Sequence, residues 1–191
     1  MILTDSTWPD GLLTIFQICR ENRELLDTQY YGPYTKLLSY CFGKGFEFFV
    51  APQNPQYDRW KDGIAGPVVL LVVFDAKHRP VLFAEVWDDK WTEYDYGRFE
   101  ADALMRQRLD EMNSECPVPR LWGMSLFGTS LRVYYCDIAT GAVTPTFEEP
   151  LIPDTVLNFL EHGWDMDILS QEGFETMKEI VTNIVAGVLA V

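Results

Sequence analysis

The chain has 191 residues, 48% of them apolar and 14% aromatic, with 29 acidic against 15 basic side chains and a formal net charge of −14. That length and apolar content suit one globular domain with a sizeable core, and so many aromatic residues argue against a disordered chain. A pI near 4.4 argues against sequence-independent nucleic-acid binding, in which Lys and Arg neutralise phosphates, though it leaves room for a local basic groove.

The first ten residues, Met1 to Asp10, offer no basic start, no long apolar run and no small-residue cleavage site, so no signal peptide is expected. Apolar residues at positions 12, 13, 15, 16, 18 and 19, then 25 and 26, predict a helix from Gly11 to Asp27 that turns polar at Arg20–Glu24. A second helix is expected from Pro33 to Phe42, with Tyr34, Leu37, Leu38 and Cys41 on one face. Pro33 would occupy its first turn, where a missing N–H does no harm. Phe46–Ala51, short and aromatic between Gly45 and Pro52, reads as a strand, and 52–66 as a loop.

Pro67–Phe74 is a nearly unbroken β-branched run, expected of a strand covered on both faces, and Pro80–Trp87 is a second of the same kind after a turn at Asp75–Arg79. Arg98–Met112 has helical period, with Phe99, Ala103, Leu104 or Met105, Leu109 and Met112 as its apolar stripe. Leu121–Phe127 and Leu131–Cys136, joined through Gly128–Ser130, predict a hairpin, and a turn follows at Thr140–Gly141. A last helix is expected to begin between Asp165 and Gly173, with Met177, Ile180, Val181, Ile184, Val185 and Val188 on one stripe. Such a stripe packs into a core or, as the alternative, forms a dimer seam. The most apolar stretch, Ile180–Val191, is interrupted by Thr182 and Asn183 and falls short of the ~20 residues that span a bilayer.

Common chemical signatures fail one after another. Gly43-Lys44-Gly45 lacks a third glycine and precedes a strand, so it is no dinucleotide loop. Gly123 to Gly128 misses the nucleophile-elbow spacing by one residue, which leaves Ser125 an ordinary strand residue. No calcium loop is in register around Asp58 or Asp88. His78 and His162 read as plain surface residues, and the scattered Cys19, Cys41, Cys116 and Cys136 have no zinc spacing. They are expected to be free, buried thiols of a reducing compartment, which places the protein in the cytosol or nucleus with no membrane contact.

The densest polar feature is acidic: Glu85, Asp88, Asp89, Glu93, Asp95, Glu100 and Asp102, with Lys90 and Arg98 among them. It reads either as a divalent-cation site or as a solvated loop between a strand and a helix. Glu85 stands apart because it sits in an otherwise apolar strand, where a carboxylate needs a partner or a metal.

The order helix, strand, long strand, turn, strand ending in Glu-x-x, helix, strand resembles the core of the PD-(D/E)XK (restriction-endonuclease-like) superfamily. The wording at Tyr31–Tyr40, Arg79–Trp87, Arg98–Met112, Pro119–Leu131 and Trp164–Leu169 resembles an uncharacterised fungal family placed in that superfamily. The resemblance implies an α/β fold with an α-β-β-β-α-β core, its mixed central sheet flanked by helices. It also implies one domain, with a helical extension at 1–30, a core at 31–138 and a C-terminal loop and helix at 139–191.

In active members an Asp starting the second strand and a Glu on the third hold Mg²⁺, while a Lys two residues after the Glu lies beside the attacking water. Carried over, the Glu position is Glu85, the Lys position is Trp87, and the Asp position falls near Pro67, between Gly66 and Val68. Two of the three groups are missing, which removes several kcal/mol of transition-state stabilisation. The resemblance therefore implies an inactive nuclease-like domain, without a cofactor, that binds a protein or a small molecule. Nucleic acid is disfavoured by the charge, and a homodimer is left open.

The alternative is a divergent Mg²⁺- or Mn²⁺-dependent nuclease. There Glu85 and Asp62, or else Asp58 or Glu47, would hold the metal and Lys90 would stand in for the missing lysine. A third reading uses Asp88 or Asp89 as acid–base groups of an unrelated enzyme. Trp87 is either a stacking platform or a packed core residue. Together with Trp60, Trp91 and Tyr94, and with Tyr96 beside them, it would line an aromatic ligand pocket.

Overall fold

The computed structural model describes residues 2–21, 30–43, 45–53, 69–149 and 156–190. Within them β1 (Phe48–Gln53), β2 (Val69–Asp75) and β3 (Pro80–Trp87) form an antiparallel meander, and β4 (Arg120–Phe127) runs parallel to β3. A parallel neighbour needs a crossover, and α3 (Asp95–Met112) supplies it. β5 (Ser130–Asp137) returns antiparallel to β4, and the two-residue strands β6 (Val143–Thr144) and β7 (Met166–Asp167) pair with opposite ends of β5. With α1 (Asp10–Glu21), α2 (Tyr31–Phe42) and α4 (Gln171–Leu189), the described residues make an α/β fold with an open, mixed sheet of seven strands and four α-helices.

Strand alternation divides the core between the two sheet faces. Leu71, Val73, Leu82, Ala84, Val86, Met124 and Leu126 face one way, into a cluster with Phe16 of α1, Leu37 and Leu38 of α2, and Phe174, Met177, Ile180 and Ile184 of α4. Leu70, Val72, Phe74, Phe83, Leu121, Tyr134 and Cys136 face the other way, against Met105 and Leu109 of α3. Trp87, Ala101, Phe127 and Trp164 form a third cluster. Every residue of β2 and β3 is buried, as two covered internal strands require.

β3 spans the residues expected of it, and β2 keeps its expected course over the described part, since Pro67 and Val68 lie outside it. The first helix is described only to Glu21, so its predicted continuation to Asp27 also falls outside. β1 differs: it runs through Pro52 to Gln53, where a loop was expected. Among the described residues its one strand partner is β2, and on such an edge a proline's missing donor is tolerated. The hairpin is tighter than expected, because Phe127 pairs directly with Ser130. Gly128 has a φ of +58°, the conformation that the first position of a two-residue II′ turn requires.

The stripe of α3 is a correction. Ala103 is exposed and Phe99, Leu104 and Met112 are only half-buried, whereas Gly97, Arg98, Ala101, Asp102, Met105 and Leu109 are buried. The spacing of three and four holds, but the face admits two charged residues because each has a partner. In α4 the expected stripe packs into the core, with Met177, Ile180, Val181 and Ile184 buried and Val185 and Val188 part-buried against them. Ser170 caps this helix, its Oγ accepting from the Gly173 N–H at 3.0 Å. The cysteines are free; Cys41 and Cys136 are buried, Cys19 and Cys116 half-buried. Among the described residues no helix is long and apolar enough to cross a membrane.

Candidate functional site

The pleat of β3 turns Phe83, Glu85 and Trp87 toward α3. In the ladder Glu85 lies between Leu70 of β2 and Ser125 of β4, and Ser125 in turn lies beside Arg132 of β5. One level of the sheet thus reads Leu70, Glu85, Ser125, Arg132. Glu85 is 0% exposed, and its Oε1 accepts from Nε of Arg108, which α3 delivers three residues after the buried Met105. Its Oε2 finds no hydrogen-bond partner among the described residues. Burial pushes the Glu85 carboxyl above the ordinary glutamate range, and the charge and hydrogen bond of Arg108 offset only part of that rise.

Further ion pairs surround this one. Arg98 donates to the Phe159 carbonyl at 2.7 Å and to the Thr92 carbonyl at 2.5 Å, and pairs with Asp95. Asp102 accepts from Arg106 Nε at 2.7 Å and Nη2 at 3.1 Å, and from the Tyr134 hydroxyl at 2.8 Å. Burial, then the Asp102 charge, drives the Tyr134 hydroxyl far above the usual phenol range. The Trp164 indole donates to Ser125 Oγ at 3.2 Å. The Arg132 guanidinium lies 5.4 Å from the Tyr134 ring centre and 5.5 Å from that of Trp164, within cation–π range.

The residues singled out in the sequence fare differently. Trp87 is fully buried and packs 6.0 Å from Phe127, which stacks edge-on with Trp164 at 5.0 Å. This is the packed alternative; a stacking platform would need an accessible ring face. Lys90 sits in a 3₁₀ turn (Asp89–Glu93), exposed, with Nζ 3.1 Å from Asp88 Oδ2, and the cation on Glu85 is instead Arg108. Burial acts to raise the Asp88 carboxyl, but the Lys90 backbone N–H and ammonium outweigh it and hold the group below the usual range. Trp91 is half-buried against the Trp87 cluster, Tyr94 is exposed, and their rings are 5.7 Å apart.

Trp60, Asp62, Asp58 and the Asp position at 66–68 lie outside the described residues, and Glu47 is exposed. Among the described residues no three His, Cys, Asp or Glu side chains are grouped to hold a metal. His78, read as a plain surface residue, is exposed but stacks on Phe74 at 4.4 Å. His162 is exposed, 3.2 Å from Asp165.

Sequence reasoning gave no role to Arg108, Arg132 or Trp164, took Asp102 only as one member of the acidic stretch, and dismissed Ser125. Only Asp102 left a local signal, as the i,i+4 partner of Arg106. Chemically, a carboxylate held by one guanidinium on one oxygen keeps its other oxygen free to accept hydrogen bonds. The side chains level with it, Leu70 and Ser125, supply no second carboxylate for a divalent cation. Comparison with protein-family models, with curated proteins and with solved structures finds no match for this chain.

Proposed function

We propose that the chain is a PD-(D/E)XK-like domain whose nuclease centre has become an ion-paired, packed interior, and that it works by binding a protein or small-molecule partner without a cofactor. Support for the fold comes from the β1-β2-β3-β4 order, with a parallel β3–β4 pair bridged by a helix. The observation that carries the functional reading is the Glu85–Arg108 pair. The guanidinium gives the buried carboxylate the positive charge that a cation would give. Unlike hydrated Mg²⁺, it brings no water to be ionised. Trp87, two residues on, brings no ammonium to a water either.

Binding falls to the rim beside this interior, where Trp91 is half-buried and Tyr94 exposed, a pairing of apolar body and accessible polar edge common at recognition surfaces. A net charge of −14 repels a phosphate backbone, which favours a protein or small-molecule partner. Free thiols favour an intracellular setting.

The test is to incubate the purified chain with DNA and RNA, single- and double-stranded, in Mg²⁺ or Mn²⁺, alongside Glu85→Gln. The expected result is no cleavage above that of the variant. Metal-dependent cleavage that Glu85→Gln abolishes would overturn the proposal and favour a nuclease with displaced partners such as Asp62 and Lys90.

A further inference from the structure

Four arginines lie on α3 or on the sheet face beneath it. Three have a carboxylate of their own: Arg98 with Asp95, Arg106 with Asp102, Arg108 with Glu85. Arg132 has none among the described residues. Asp102, beyond the Tyr134 ring, is already taken up by both arms of Arg106 and by the Tyr134 hydroxyl. The side chain of Arg132 is half-buried, and its Nε is fully buried with no acceptor among the described residues. In a chain of net charge −14, one guanidinium has thus been drawn partly out of water without a counter-charge, which is costly unless something supplies one.

The guanidinium is also held in place. Tyr134 and Trp164 flank it at 5.4 and 5.5 Å, and each is pinned by its own hydrogen bond, to Asp102 and to Ser125. The strap that carries Trp164 comes so close that a Cβ on Gly163 would stand 2.6 Å from Arg132 Nη1. A guanidinium held against two aromatic rings loses little freedom when its fork takes an oxyanion.

We propose that Arg132 anchors an oxyanion-binding site, which takes the carboxylate or phosphate group of a small ligand on the terminal nitrogens of its fork. The site goes beyond the binding-module reading and does not require it, because its test reads binding at one side chain and not cleavage.

The experiment follows the arginine Nε–H resonances of the intact ¹⁵N-labelled chain by NMR during titration with inorganic phosphate and, separately, succinate, at constant ionic strength in chloride. A saturable shift of the Arg132 resonance is expected, with those of Arg98, Arg106 and Arg108 nearly still. The tighter of the two probes tells a phosphorylated ligand from a carboxylate one. Arg132→Gln should abolish binding measured by calorimetry, and Arg132→Lys, which keeps the charge and loses the fork, should weaken it roughly tenfold. No saturable shift, or equal shifts at all four arginines, would overturn the proposal. That comparison needs only the unmutated chain, so it stands even if a variant fails to fold.

Discussion

Replacing Arg108 by Met keeps an unbranched side chain beside Glu85 but leaves the carboxylate in the interior with no positive charge on it. Breaking a buried pair in this way costs about 3–5 kcal/mol, which urea unfolding at pH 7 would register. The pH dependence follows from the direction of the Glu85 shift. Because burial raises its folded-state pKa, the stability tied to Glu85 is complete below the ordinary glutamate range and declines as pH rises through the folded value. Arg108→Met pushes that value higher, so its penalty should shrink as the pH falls below 7 and the carboxyl takes up a proton. A penalty independent of pH would contradict a charged Glu85 held by Arg108. That Glu85 needs a partner was legible from its apolar strand. The identity of the partner was not, since Arg108 stands 23 residues away on a helix whose buried face was itself misread.

That misreading is instructive about helices. A count of apolar residues picks out Phe99, Ala103 and Leu104, yet α3 turns Arg98, Asp102, Met105 and Leu109 inward. Paired charges can occupy a core face as long as each finds its counterpart: Asp95 and Arg106 supply the opposite charges from the same helix, while the further hydrogen bonds, to the Phe159 carbonyl and from the Tyr134 hydroxyl, reach distant parts of the chain. α4 lacks such pairs on its buried face, and there the apolar stripe was read correctly.

Its first turn gives a separate test. Ser170→Ala removes the cap on the Gly173 N–H and should cost ~1 kcal/mol. Gly173→Ala would gain ~1 kcal/mol from helix propensity alone, but its Cβ would stand 2.6 Å from the Asp167 carbonyl and closer still to that of Ile168. Thermal melts should therefore show both variants destabilised, and a stabilised Gly173→Ala would contradict this close approach of the turn to the helix.

For the whole molecule, the order of the long elements was legible because β-branched runs and helical periods are carried by many residues at once. β6 and β7 were not, since two-residue strands have no periodicity; they exist because the chain passes the two ends of β5. The net charge of −14 likewise hides a local feature, the arginines of α3 with Arg132 of β5 beneath them, which the folded arrangement brings together. The chemistry of the interior turns on which cation Glu85 holds. Calorimetric titration of the purified chain with Mn²⁺, repeated with Glu85→Gln, addresses that directly. If Arg108 is the resident cation, the two titrations should be indistinguishable; a saturable heat in the native chain that vanishes in Glu85→Gln would mean that the carboxylate binds metal and that the site is still a metal centre.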